Sequence, residues 1–405
     1  MEFQGPWIGP LSLKHSTQLL GVLLVFFGNA AQASSVPVPT VRVLVDRERS
    51  HAALGGFDLV VTDAVTGKEL LRASGPASLD FRCGLDGRLS GEAISGSRAP
   101  GGVARRPMQP LTGPLKITSE GGFLRVDHKR LREEVYLYAS AGECMLVNHV
   151  DLEKYVAGLL NSEMNAGWNM ETLKAQAVAA RTYAIYQMRE TSRGSDQAFD
   201  LDSSVKDQVY EGAHQERYRA LKAVLATRGE ILAFNGKPIK AFYHSTCGGR
   251  TSSADKVWGY RVPYLIPVAC GFCNSSPRYR WEHKTAMSDL GVALKMKGII
   301  KDRLTGVRVG RRSVVGRVET VEVFDGMRPV VVGGARFREI AGFSQLRSTE
   351  FTVLREGNVL RFRGSGSGHG VGMCQWGSKA MGERGFGYKQ ILSKYYPLAR
   401  LSRIY

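Results

Sequence analysis

The chain has 405 residues, is 43% hydrophobic and carries a formal charge of +18 at pH 7. That length allows two or three domains, and the apolar content excludes wholesale disorder. The charge calls for a polyanionic partner. No zinc-finger, helix-turn-helix or RNA-binding signature directs it to nucleic acid, so an anionic envelope surface or acidic polymer is the expected class.

At the N-terminus, Lys14 and His15 precede the apolar run LLGVLLVFFGNA (19–30), and AQA at 31–33 has the small-x-small form of a signal-peptidase site. The run is short for a membrane span. Residues 1–33 therefore read as a signal peptide, with an uncleaved anchor as the alternative. Both export the rest of the chain to the periplasm, cell wall or medium, and signal cleavage leaves no transmembrane span.

Residues 34–130 read as a β-rich region, and strands and turns continue to about 150. TVRVLVD, FDLVVTD, FLRVDH and EVYLYA alternate or are rich in β-branched and aromatic residues, with Gly, Asp and Ser between them. SGSRAPGGVARRP (95–107) reads as a loop. Two helices follow, capped by Asp151 and Asn169. Leu152, Tyr155, Val156, Leu159 and Leu160 form an apolar stripe on the first, and Glu163 is the next position on that stripe. It is either a solvated helix-end residue or a carboxyl kept partly dry. On the second helix, Arg181 interrupts the face of Leu173, Ala177, Ala184 and Met188. The two charges form an interhelical salt bridge, or they line one cleft as a general acid and an organising cation. A direct Arg partner would lower the carboxyl pKa and oppose the acid role.

Residues 229–285 return to short strands and loops. His244-x2-Cys247 and Cys270-x2-Cys273 offer four ligands at zinc-like spacing, for a structural ion with no open position. In an exported chain, disulfide pairing competes. Residues 286–340 read as a basic, insertion-like region. Lys295, Lys297, Lys301, Arg303, Arg308, Arg311, Arg312 and Arg317 form either a solvated surface or a contact for an anionic polymer. Residues 364–377, GSGSGHGVGMCQWG, lack the Gly-Lys-Ser/Thr ending of a phosphate loop. A His369/Cys374 nucleophile pair is one reading. A tight loop that brings backbone, His369 and Gln375 close to a ligand is the favoured one, against a purely structural loop. Residues 378–396 look helical. The fold class is α+β, a mixed helical and β-rich core behind a β-rich N-terminal region.

Several blocks together resemble the stage II sporulation protein D (SpoIID) family, which includes LytB-type amidase enhancers. They are YVAGLLNSEMNAGWNMETLKAQAVAARTYAIYQM, AFYHSTCGGRTSSADKVWG, VPYLIPV, SPRYRW and GHGVGMCQWGSKAMGERGFGYKQILSKYYP. They divide the matched core into residues 131–285 and 341–405. The resemblance implies a lytic transglycosylase acting on peptidoglycan glycan strands alongside other wall hydrolases, on strands stripped of peptide or otherwise modified. It implies Glu163 as catalytic acid, and Arg181, Tyr279, Arg280, His369 and Gln375 as substrate-binding residues. Arg280 stands where the family often has Lys, and Cys374 where Ser is usual. Lysozyme-like hydrolysis and a non-catalytic amidase-enhancer role are the competing expectations; a zinc hydrolase is weakened by the lack of a His-rich open site.

Overall fold

The computed structural model describes residues 36–95, 104–194, 197–326 and 328–405. The expected signal peptide lies outside them. From Pro37 onward the alternating segments pair into one large sheet. Thr40–Arg49 lies between Leu201–Asp202 and Glu143–Asp151. The order then runs Glu134–Ser140, Leu115–Ser119, His51–Asp63, Glu69–Cys83, Leu89–Ser95 and Ala104–Leu111. Alternation sets the buried face: Leu71, Ala73, Ala77, Leu79 and Phe81 of the long Glu69–Cys83 strand all point inward. Part of the expected 95–107 loop is strand, because residues from Ala104 pair with Leu89–Ser95. A disulfide joins Cys83 to Cys144 across this sheet, a pairing that the cysteine spacings did not disclose.

The sheet delivers the chain into helix α1 (Leu152–Glu163). The Asp151 carboxylate accepts from the backbone N–H groups of Glu153 and Lys154, as expected of an N-cap. All five stripe residues, Leu152, Tyr155, Val156, Leu159 and Leu160, are fully buried. Gly158 permits a close approach, since a Cβ there would lie 2.8 Å from the Tyr210 ring. Asn169 caps helix α2 (Met170–Thr191). This helix is buried nearly all round rather than on one face. Leu173, Ala177 and Ala180 face the core shared with the sheet, while Ala175, Val178 and Ala179 face a second core.

Arg181 does not line a cleft, which corrects the expectation that it holds substrate. It is fully buried and paired with Glu153, the second residue of α1, at 2.6 and 2.9 Å. It also donates to the carbonyls of Glu230 and Val224. Glu153 further accepts from the Gly229 N–H and the Tyr405 hydroxyl. An interhelical salt bridge therefore exists, but its acid is Glu153 rather than Glu163.

The expected basic insertion folds as a unit with its flanking strands. Arg280–Ala286, Val359–Ser365 and Phe351–Glu356 form one three-stranded sheet; Leu304–Val309, Thr320–Asp325 and Arg328–Gly333 form another. With the helices Met287–Met296 and Gly334–Ala341 they enclose a third core around Leu294, Val321, Phe337 and Phe362. Divisions at 286 and 340 thus cut across a packed body. Its basic residues are mostly exposed; Arg317 is buried. Among the described residues, no helix is long and apolar enough to cross a membrane.

Removing one partner of a buried pair leaves an uncompensated charge. Arg181→Ala is expected to cost about 3–5 kcal/mol of stability, and the double change Arg181→Met with Glu153→Leu to recover part of it. Denaturant unfolding of the three proteins checks this; a near-neutral Arg181→Ala would refute a structural role.

Candidate active site

Glu163 is the last residue of α1, where the stripe runs out of the core. Its Oε1 accepts from the Val209 N–H at 2.8 Å, and the Tyr243 hydroxyl and Gln375 amide also hydrogen-bond the carboxyl. The Gln375 amide donates to the Glu163 carbonyl at 3.1 Å. Behind Tyr243, the Gln208 amide donates to the Tyr243 oxygen at 3.0 Å and accepts from the Tyr155 hydroxyl at 3.0 Å. Burial pushes the Glu163 pKa up to about 7, against the smaller opposing pull of the hydrogen bonds from Val209, Tyr243 and Gln375. A carboxyl with that pKa can give and take a proton near neutrality.

The carboxyl opens on a cavity of about 800 Å³ that also receives Trp168, Tyr218, Ser245 and Trp376. Trp168 and Trp376 meet edge-on with centroids 5.2 Å apart, and the Lys379 ammonium lies over both rings. Among the described residues lining this cavity, Glu163 is the one acidic group.

The glycine-rich loop places Gln375 and His369 differently. Its close fit is real: Gly372 has φ +72°, and a Cβ there would sit 2.0 Å from the Phe242 carbonyl oxygen. Gln375 reaches Glu163. His369 does not. Its Nε2 donates to the Tyr243 carbonyl at 2.9 Å and its Nδ1 accepts from the Val371 N–H at 3.1 Å, so the ring braces the strand that carries Tyr243. Burial drives its pKa down to about 3, leaving it neutral. With both nitrogens committed, it cannot activate Cys374.

Arg280 begins the third unit and lies in a separate depression with Glu282 and Arg363, away from Glu163. Arg278, two residues earlier in SPRYRW, lines a second cavity that Arg280 does not, and neither arginine lines the cavity of Glu163. Tyr279 is partly buried and packs against the second core. It lines neither Glu163's cavity nor the one that receives Arg278.

The metal-ligand set also changes. The Sγ atoms of Cys247, Cys270, Cys273 and Cys374 all lie within 4.8 Å of one another and are buried. His244 is not among them. Its Nδ1 is committed to the Val371 carbonyl, and Cys374, brought alongside by the pairing of Tyr243–His244 with Met373–Cys374, takes the fourth place. Four thiols at this spacing suit a tetrahedral, thiophilic ion, whose ligand sulfurs stand roughly 3.8 Å apart at a 2.3 Å bond length. The 3.5 Å separation of the Cys247 and Cys273 sulfurs is too long for a disulfide. The buried guanidinium of Arg317, from the third unit, donates to the Cys247 carbonyl at 3.0 Å. Cys374 was singled out in the sequence but assigned elsewhere. Gln208, Tyr243 and Arg278 carried no periodicity or spacing signal of their own.

The family model described as stage II sporulation protein matches residues 140–234, which hold α1, α2 and Glu163. Stage II sporulation protein D of Bacillus subtilis is 30% identical over 270 residues, covering 63% of this chain and 76% of that one. The chain belongs to the SpoIID family. An uncharacterized protein of Brachyspira hyodysenteriae is 35% identical over 252 residues, covering 62% of this chain and 67% of its own. The amidase enhancer of Bacillus subtilis is 28% identical over 285 residues, 59% of this chain but 39% of that longer protein. A second model, a domain of unknown function (DUF8618), matches residues 264–372 and contains the third unit. Of the four clustered cysteines of this SpoIID-family chain, Cys270 and Cys273 lie within the second match, and Cys247 and Cys374 lie outside both.

The raised Glu163 pKa has a stability consequence. The unfolded chain releases this proton near pH 4.5 and the folded protein near 7, so ionisation opposes folding between those values and the wild type loses stability as pH rises through them. Glu163→Gln has no such proton. Relative to wild type, it is expected to gain stability from pH 4.5 to 8 in parallel denaturant titrations; a difference flat across that window would show that the carboxyl is not raised.

Proposed function

We propose that this protein acts on the cell wall as a lytic transglycosylase that cleaves peptidoglycan glycan strands. The observation that carries the reading is a single acidic group, with its pKa near neutrality, in a tryptophan-flanked cavity. Hydrolysis by the usual routes employs two carboxylates. Asp207 belongs to a neighbouring cavity and is held by the Tyr183 hydroxyl at 2.8 Å, the Gln187 amide and the Asp202 N–H. Among the described residues lining the cavity, that leaves no second carboxylate to activate water. Transglycosylation needs none, because the muramic acid 6-hydroxyl is the nucleophile.

Protonated Glu163 donates to the glycosidic oxygen as the bond to the anomeric carbon breaks. The resulting carboxylate then takes the 6-hydroxyl proton as that oxygen closes on the anomeric carbon. The product is a 1,6-anhydromuramyl end, and Glu163 is returned protonated. Val209, Tyr243 and Gln375 hold the carboxyl in place through both steps. The family name and the amidase-enhancer relative support a wall setting. The signal-like N-terminus and the Cys83–Cys144 disulfide support export. The four cysteines are proposed to hold one structural zinc, which would tie the Gln375 segment to the rest of the core and leave no open position for catalysis.

Glu163→Gln should lower glycan cleavage about 10²–10⁴-fold while the protein stays folded, and wild-type kcat should fall as pH rises through about 7. Mass analysis of released muropeptides decides the route: an anhydro end is lighter by one water than a reducing end. Reducing ends would establish hydrolysis, and release undiminished in the variant would sink the assignment of Glu163. For the metal, elemental analysis should find one zinc per chain. Cys374→Ser should lower occupancy and His244→Ala should leave it unchanged, which the opposite pattern would overturn.

A further inference from the structure

The basic residues of the third unit differ in their partners. Arg308 is paired with Glu322, Arg336 with Glu339 and Arg363 with Glu282. Lys295, Lys297, Lys301, Arg303 and Arg328 are exposed, and among the described residues none of the five has a carboxylate partner.

The fold gathers these five at one end of the unit. After the helix Met287–Met296, Gly298 takes φ +67° and the Ile299 N–H reaches the Leu294 carbonyl, which turns the chain. The Asp325 carboxylate then accepts from the backbone N–H groups of Lys301 and Asp302 at 2.7 and 3.1 Å. Asp325 itself lies opposite Leu304 on one side and Arg328 on the other, at the ends of the strands Leu304–Val309 and Arg328–Gly333. One helix end and two strand ends therefore meet at Asp325, whose carboxylate is committed to N–H groups. Asp302 is the exposed acid left among the cations.

Apolar side chains stand open beside them. Met296 is 81% exposed, and Val292, one turn earlier on the same helix ridge, is 59% exposed. The opposite face of this helix, with Met287, Leu290 and Leu294, fills the third core. A soluble polyanion is held by charge alone and gains nothing from Met296 and Val292. An anionic bilayer rewards both features. Its surface potential draws in cations, while apolar side chains enter the headgroup boundary beside the lysine stems.

We propose that this end of the third unit docks on a bilayer containing anionic phospholipid. Met296 and Val292 enter the headgroup region, and the five cations lie over the lipid phosphates. None of these residues lines the cavity of Glu163 or the second cavity, so docking leaves both open. The contact would hold an exported chain at the membrane face of the wall, whatever reaction Glu163 performs.

The test is hydrogen exchange on the whole chain, read peptide by peptide. The probes are phosphatidylcholine vesicles, the same vesicles containing phosphatidylglycerol, and soluble polyphosphate. A local readout keeps any binding by the apolar N-terminal run apart from docking by the third unit. Amides of residues 292–303 should slow with phosphatidylglycerol vesicles and not with phosphatidylcholine alone, and the protection should shrink as salt is raised. The triple variant Lys295→Gln, Lys297→Gln, Lys301→Gln should need on the order of a hundred-fold more lipid for the same protection, from about five-fold per cation. Met296→Ser should need several-fold more. All four positions are exposed, so cleavage of soluble glycan should be unaltered in these variants. Unchanged exchange of 292–303 with phosphatidylglycerol vesicles would overturn the docking surface. Equal protection by polyphosphate, undiminished in Met296→Ser, would overturn the membrane assignment and make this end a site for soluble polyanions.

Discussion

Arg181 and Glu153 place opposite charges out of water between α1 and α2, and the geometry of the cleft depends on their pairing. Each is saturated by further partners: Arg181 by the carbonyls of Val224 and Glu230, Glu153 by Gly229 and Tyr405. The knot therefore fastens two helices to the segment around 224–230 and to the chain end. Breaking either partner would strand a charge, which makes the register of α1 against α2 strongly specified. Glu163 lies on α1 beyond that fixed point, so its position at the edge of the core follows from the pair.

With the helix register fixed, the carboxyl is tuned by what surrounds it. Burial raises its pKa, and donors from three separate parts of the chain hold its orientation. Tyr243 is itself held by Gln208, which is held by Tyr155 of α1, so the orienting chain returns to the helix that carries the acid. An acid placed this way stays protonated near neutrality without losing its geometry, the combination proton transfer to a leaving oxygen requires.

The cysteine cluster and Arg317 join the remaining pieces. Cys247, Cys270, Cys273 and Cys374 bring three segments to one point, and Cys374 immediately precedes Gln375, so the anchorage of that cluster governs a residue bonded to Glu163. Arg317 carries a charge from the third unit to the same point. The third unit is thereby fixed against the second cavity, to which it contributes Arg338.

The sequence by itself determined what depends on local spacing. The strands of the N-terminal region, the Asp151 and Asn169 caps, the buried stripe of α1 and the place of Glu163 at its end all follow from periodicity and capping, which act within a few residues. The family motifs added the Gln375 position. Tertiary structure decided the partners. Arg181 faced a choice between two acids on α1, and only the interhelical register selected Glu153. His244 and Cys374 both had suitable chemistry for a fourth ligand, and parallel pairing of two short strands brought the sulfur to the site. Arg278 and Arg280 stand two apart in one motif, and where the strand starts at Arg280 determines which of them lines the second cavity. Gln208 acts through contacts with Tyr155 and Tyr243, which are far away in sequence and which no local pattern records.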